Sequence, residues 1–246
     1  MIEAADIREP ETVASREAKC HFLQQFVSGH FRATLINGDC LDSLDVEADA
    51  IITDPPYGME WEGNQRFSGG NSRRGKGTRH EQIMGDADEY DPTPWLERKL
   101  PTVMWGANHF WNRLPPGAAL IWQKRNEHAL GTFLSDGEVA YMSVGCGVYI
   151  CRKVFAGSRR AIEGGVNAYD GSLHPNQKPV MLMAWAMDRA KVPKGAIVLD
   201  PYMGSATTAV ACLRTGRNFV GIEKDPKHFA TAVARLEREI NQGALL

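Results

Sequence analysis

The sequence predicts an α/β fold: a mainly parallel sheet with helices on both faces. Three observations carry that reading. Short, mostly apolar runs at residues 49–53, 196–199 and 218–222 suit strands buried on both sides. They end in an acid, Asp54, Asp200 or Glu223, and the last two are followed by helical patterns, the alternation of a covered sheet. The 246 residues, 43% hydrophobic and 24% charged, can bury one sizeable core, and their balance excludes a disordered chain or a disulfide-stapled miniature.

Taken in order, residues 1–32 read as a peripheral helical lead-in, because Phe22, Leu23, Phe26 and Val27 recur at helical spacing. A single domain spans 33–246. Its first half, 33–173, opens with an apolar run at 33–37, a brief helix at 40–44 and the strand at 49–53. Further strands are expected at 102–105 and 118–122, with a helix at 108–114 between them. The second half, 174–246, starts with an apolar helix at 179–190 containing Met181, Met183 and Met187, which read as helix core. A helix at 207–213 ends near Gly216, and the last helix is capped by Asp225 with Pro226 in its first turn. Phe229, Val233, Leu236 and Ile240 give that helix one apolar stripe.

Charge and cysteine usage narrow the class. With 28 basic and 30 acidic residues the net charge is −2, so any basic surface for nucleic acid is local. The five cysteines, Cys20, Cys40, Cys146, Cys151 and Cys212, are scattered, which fits reduced cytoplasmic thiols and no metal site. The N-terminus has no apolar run of the signal-peptide kind, and no stretch approaches a membrane span. One segment, 62–81, is rich in glycine and carries Arg66, Arg73, Arg74, Lys76 and Arg79, without an acid between Arg66 and Arg79. Such a loop is placed to close over phosphates. Arg152, Lys153, Arg159 and Arg160, in a second acid-free stretch, are weaker candidates for the same job.

Two strand ends carry the chemistry. At Asp54-Pro55-Pro56-Tyr57 the prolines hold the chain extended and remove two donors, leaving a carboxylate and the Pro55 carbonyl as rigid acceptors beside an aromatic ring. That corner suits a planar ligand presenting an amino group. Asp200-Pro201-Tyr202-Met203-Gly204-Ser205-Ala206-Thr207 leads from a strand into a helix, where free amides and the positive helix end can receive a carboxylate. Glu223, at the end of the next strand, stands where an acid grips ribose hydroxyls. The spacing is not that of a dinucleotide loop; a nucleoside with an amino-acid tail fits better.

Those two segments, together with His174-Pro175-Asn176-Gln177-Lys178-Pro179, Gly38-Asp39-Cys40 and Trp105-Gly106-Ala107-Asn108, resemble the beta-class DNA amino-methyltransferases in content and order. The resemblance covers roughly residues 33–240. It implies a Rossmann-like class I methyltransferase fold, without a large separate target-recognition domain, and S-adenosylmethionine as cofactor. By the same resemblance, Asp54, Pro55, Pro56 and Tyr57 are catalytic. Asp39, Cys40, Asp54, His174, Lys178, Pro179, Asp200, Pro201, Tyr202, Gly204, Ser205, Thr207, Glu223 and Lys224 surround the cofactor, with His174 and Lys178 at its methionine end. Asp39 reads equally well as a helix cap, and Trp105 and Asn108 as core or pocket lining.

The sequence departs from the family where Ala206 replaces a glycine, which requires its backbone to avoid positive φ, and where Asn176 replaces a threonine. The implied reaction is methyl transfer to the N6 amino group of an adenine flipped out of DNA, by direct in-line attack. Alternatives are N4 of cytosine, an RNA or protein-amide methyltransferase, and a non-catalytic DNA-binding remnant. No Pro-Cys dipeptide is present, against carbon-5 cytosine chemistry. The implied partners are DNA, a cognate restriction endonuclease and a second copy of the chain.

Overall fold

The computed structural model describes residues 22–56, 89–125, 127–131, 135–152 and 178–243. Among them a nine-stranded sheet runs in the order β1-β2-β9-β8-β3-β4-β6-β5-β7. The strands are β1 (Phe22–Ser28), β2 (Phe31–Asn37), β3 (Ala50–Thr53), β4 (Thr102–Trp105), β5 (Ala118–Gln123), β6 (Gly137–Met142), β7 (Val148–Arg152), β8 (Ile197–Asp200) and β9 (Asn218–Glu223). The helices are α1 (Thr93–Leu96), α2 (Val180–Arg189), α3 (Thr207–Thr215) and α4 (Pro226–Gly243). From β2 through β9, β8 and β3 to β4 all neighbours are parallel. β6 lies antiparallel between β4 and β5, and β1 antiparallel on β2.

The central strands come from both ends of the chain. β8 leads to β9 on one side and β3 to β4 on the other, so the topology switches between β3 and β8, where open α/β sheets form a crevice at their carboxyl ends. Strand pleating sends neighbours to opposite faces. Ala50, Ile52, Val103, Trp105 and Val198 enter a large core with the buried sides of α2, α3 and α4. Ile51, Met104 and Leu199 point the other way, into a smaller core with Tyr90, Trp95 and Phe110. Apolar on both faces, these strands carry no polar alternation.

The last three helices follow the sequence reading. Asp225 accepts from the Lys227 amide at 2.7 Å at the start of α4; Phe229 and Leu236 are buried, with Val233 and Ile240 packed on the same core. Met183 and Met187 are core residues of α2.

Three expectations are corrected. The lead-in is not helical: its described part is β1, turned at Gly29 (φ +58°) to pair with β2 from Ser28↔Phe31 onward. Phe26 faces the core while Leu23 and Val27 are exposed, so the apolar spacing serves two faces of a strand, and the sheet begins before residue 33. The helix expected at 108–114 is two 3-10 turns, Ala107–His109 and Trp111–Arg113, interrupted at Phe110, whose φ of −138° is not helical. Ala206 adopts the left-handed conformation after all (φ +59°), with its amide bonded to the Met203 carbonyl and its carbonyl to Val210, at a backbone cost of about 1 kcal/mol that the buried turn imposes.

Candidate active site

β3 and β8 are adjacent and parallel, so Asp54 and Asp200 emerge on the same rim of the sheet. Thr53 Oγ1, fully buried, donates to Asp200 Oδ1 at 2.7 Å, which ties the two strand ends together. Thr208 Oγ1 donates to Asp200 Oδ2 at 2.6 Å and the Tyr202 amide to Oδ1 at 3.2 Å. Burial pushes Asp200 up to about 6, although all three donors favour its charged form and Asp54 opposes it only weakly. Asp200 therefore knits β3, β8 and α3 from inside the fold.

The loop that follows is closed on itself. The Gly204 amide donates to Glu223 Oε2 at 3.0 Å, the Met203 amide to the Ile222 carbonyl and the Tyr202 amide to Asp200. The Tyr202, Met203 and Gly204 amides are thus engaged, and the loop packs on β9: a side chain added at Gly221 would strike Met203 Sδ at 2.5 Å. Arg235, buried on α4, donates to the Ser205 carbonyl at 2.9 Å, Ser205 Oγ at 3.2 Å and Thr207 Oγ1 at 2.9 Å. The side chains of Asp200, Ser205 and Thr207, expected against a cofactor, are thus buried and bonded within the fold. The reason is tertiary: Arg235 lies 28 residues beyond Thr207.

What faces outward is Gly204, Glu223, Asp39 and Lys224. A side chain at Gly204 (φ +50°) would meet nothing within 4 Å. Burial raises the Glu223 carboxyl despite amide bonds from Asp225 and Gly204. A carboxylate has about four acceptor positions, so two amides leave room for two hydroxyls. Asp39 caps the 3-10 turn Cys40–Ser43, accepting from the Leu41 amide at 3.0 Å, and its second oxygen takes Lys224 Nζ at 2.9 Å. Both readings of Asp39 are compatible with that geometry: it is a cap, and it stands on the rim beside Glu223. Cys40 is buried, which pushes its thiol up to about 11 against the hydrogen bond to Tyr202. Tyr202 also accepts from Trp95 Nε1 at 3.3 Å and stacks edge-on with Tyr90. Pro201 is buried in the turn, and Pro179 opens α2.

Lys178, expected at the methionine end of the cofactor, reaches the end of β3. Its ammonium donates to Asp54 Oδ2 at 2.5 Å, on the strand end expected to hold the base. It also lies 3.1 Å from Glu138 Oε2, and Glu138 Oε1 pairs with Lys124. Glu138 and Lys124 were not singled out in the sequence. β6 runs antiparallel, so its first residues share the rim with the last residues of β3 and β5, and only the sheet order reveals this. Trp105 is wholly buried in the core; Asn108 is exposed beside His109. Pro55 is buried and Pro56 half-buried. Tyr57, His174, Arg66, Arg73, Arg74, Lys76, Arg79, Lys153, Arg159 and Arg160 lie outside the described residues. Arg152 ends β7, the outermost strand, and is exposed.

A mainly parallel sheet with two acid-bearing strand ends at its switch point is a Rossmann-like α/β fold. Residues 119–234 match a family model described as DNA methylase. A segment of 66 residues, 27% of this chain, is 41% identical to the type II methyltransferase M2.DpnII of Streptococcus pneumoniae, and covers 24% of that relative's length. YubD of Escherichia coli (strain K12), named as a methylase, is 26% identical over 235 residues, 85% of this chain and 93% of the relative. Among solved structures, the PvuII DNA methyltransferase, cytosine-N4-specific, aligns over 85% of this chain and 90% of its own with a TM-score of 0.51 at 13% identity, a likeness of fold. An M1.HpyAVI–SAM complex aligns over 83% of this chain and all of its own, with a TM-score of 0.48 at 23% identity. Over residues 119–234 the chain is thus similar to DNA methylases. Among the described residues, no helix is long and apolar enough to cross a membrane, and no cluster of side chains could hold a metal.

Proposed function

We propose that the protein methylates DNA at the exocyclic N6 of adenine, with S-adenosylmethionine as donor. One observation carries this reading: Asp54 and the 200–206 loop leave adjacent parallel strands on one rim, joined by the 2.7 Å bond from Thr53 to Asp200. The residues present fit the cofactor, since Gly204 faces open space and Glu223 keeps acceptor capacity for ribose hydroxyls. When bound, S-adenosylmethionine supplies an electrophilic methyl on a sulfonium.

The protein's task is to prepare the amine. The lone pair of an exocyclic amino group is delocalised into the base. Asp54 and the Pro55 carbonyl each accept one of its hydrogens and draw the nitrogen toward tetrahedral geometry, while Tyr57 stacks on the ring. As the nitrogen bonds to the methyl and the methyl's bond to sulfur breaks, leaving a neutral thioether, the nitrogen becomes positive and the carboxylate would stabilise that charge. The excess proton leaves toward Asp54 or solvent. The basic loop at 62–81 holds the backbone of DNA from which the base is flipped. An aspartate at the head of the tetrapeptide favours adenine over cytosine by family resemblance.

Modification-sensitive sequencing of DNA from cells expressing the protein tests the reading. N6-methyladenine in a fixed sequence context, absent with Asp54→Ala, is the expected result. N4-methylcytosine would replace the adenine assignment, and no modified base above the Asp54→Ala control would overturn the activity.

A further inference from the structure

The rim beside Asp54 carries an alternating row of charges from four separate elements. Lys124 follows β5, Glu138 sits near the start of β6, Lys178 precedes α2, and Asp54 follows β3. Lys178 is the member held between two acids. Its side chain is 6% exposed, against 21% for Asp54 and 25% for Glu138. It is bonded to Asp54 at 2.5 Å and lies 3.1 Å from the buried Glu138 Oε2, so one ammonium stands in ion-pair range of both carboxylates, more tightly held by Asp54.

The arrangement matters because, on the function proposed above, Asp54 must accept a hydrogen from the target amino group. In this structure an ammonium holds one of its oxygens. A cation that stayed there would compete with the amine, and a cation expelled from a nearly buried place would need another anion. Glu138 is that anion, within a small side-chain rotation. Among the described residues the other charged group facing Glu138 is Lys124, which keeps Oε1 paired and, with the Trp122 ring under its ammonium at 5.3 Å, leaves Oε2 directed at Lys178. Burial pushes the Glu138 carboxyl up, but the two ammoniums outweigh it and hold the group below its ordinary range. It stays ionised and ready to accept.

We infer that Glu138 is a positioning residue, the landing site to which the Lys178 ammonium moves when an amino group binds Asp54. The exchange breaks the hydrogen bond from Lys178 to Asp54, tightens the existing ion pair from Lys178 to Glu138 and forms a hydrogen bond from the neutral amine to Asp54. The ammonium stays paired, while the Asp54 carboxylate is left to face the charge that develops on the amine. Lys178 thereby pairs with Asp54 before the base arrives and releases it afterwards.

The test uses Glu138→Gln, Glu138→Asp, Lys178→Met and the Glu138→Gln/Lys178→Met double variant of the full chain. Glu138→Gln leaves a weaker landing site, so kcat falls about ten-fold while S-adenosylmethionine affinity stays within about two-fold. Glu138→Asp, which keeps the charge, retains more activity than Glu138→Gln. In the Lys178→Met background the Glu138→Gln substitution has no further effect, because the competing ammonium is gone. Losses that multiply in the double variant, or an unchanged kcat in Glu138→Gln, would overturn the inference. Carboxyl NMR titration of Glu138 in the free protein reads the same coupling without any turnover: its pKa should rise in Lys178→Met, and an unmoved titration would also overturn it. A wild type that methylates no DNA would instead overturn the proposed activity, leaving the titration to decide the ion exchange.

Discussion

Asp54 and Asp200 begin alike and end differently. Each follows a buried strand, each precedes proline, and the two strands are neighbours on one rim. Asp200 is 3% exposed, accepts three hydrogen bonds and links three elements. Asp54 is half-buried and faces an ammonium that has a second carboxylate within reach. An Asp-Pro at a strand end thus marks a place on the sheet and not a role. Donors fixed in the backbone and in short threonine side chains make one acid a rivet. The other faces a long lysine side chain, which can pivot.

The contrast is broken most forcefully at Asp54. Asp54→Ala should lower methylation by roughly 1,000-fold or more, since it removes an acceptor aimed at charge developing in the transition state. Binding of S-adenosylmethionine, followed by calorimetry, should persist. Residual activity near wild type would contradict the role.

At Asp200 the expected damage is to stability. Asp200→Asn replaces an oxygen acceptor by a donor facing a threonine hydroxyl, and should cost about 2 kcal/mol in urea unfolding at neutral pH. The pH dependence has a definite sign. The folded-state value of about 6 lies above that of an unfolded aspartate, so the native state binds more protons between roughly pH 4 and 6. The contribution of Asp200 to stability is therefore largest at low pH and declines as pH rises through that window. The wild-type advantage over Asp200→Asn should grow on acidification from pH 6 to 4; an advantage that shrinks would refute the assignment.

The smallest effect belongs to the exposed pair of Lys224 and Asp39, whose side chains are 55% and 33% exposed. Lys224→Met should change unfolding free energy by no more than about 0.5 kcal/mol, and added salt should remove the difference. A larger, salt-resistant loss would place this pair with the rivets.

Local signals were legible wherever the physics is local. The strand at β3, the cap at Asp225 and the stripe of α4 could be read because burial on two faces, an amide without a partner and a 3.6-residue period all leave marks within a few residues. The lead-in failed on the same ground: Phe22, Leu23, Phe26 and Val27 satisfy helical spacing, and the choice of strand came from Gly29 and from pairing with β2. Ala206 failed because its backbone follows from the turn that Glu223 and Met203 close, not from its own preference.

By itself, then, the sequence determined the class of fold, the strand ends that would bear the acids, and the family resemblance carried by its motifs. Only the tertiary structure decided that Asp200 is buried, that Ser205 and Thr207 answer to Arg235, and that Lys178 stands between Asp54 and Glu138. The physical reason is distance along the chain. Lys178 and Asp54 are 124 residues apart in sequence and 2.5 Å apart in space, and an ion pair of that kind exists only after the strands have taken their order in the sheet.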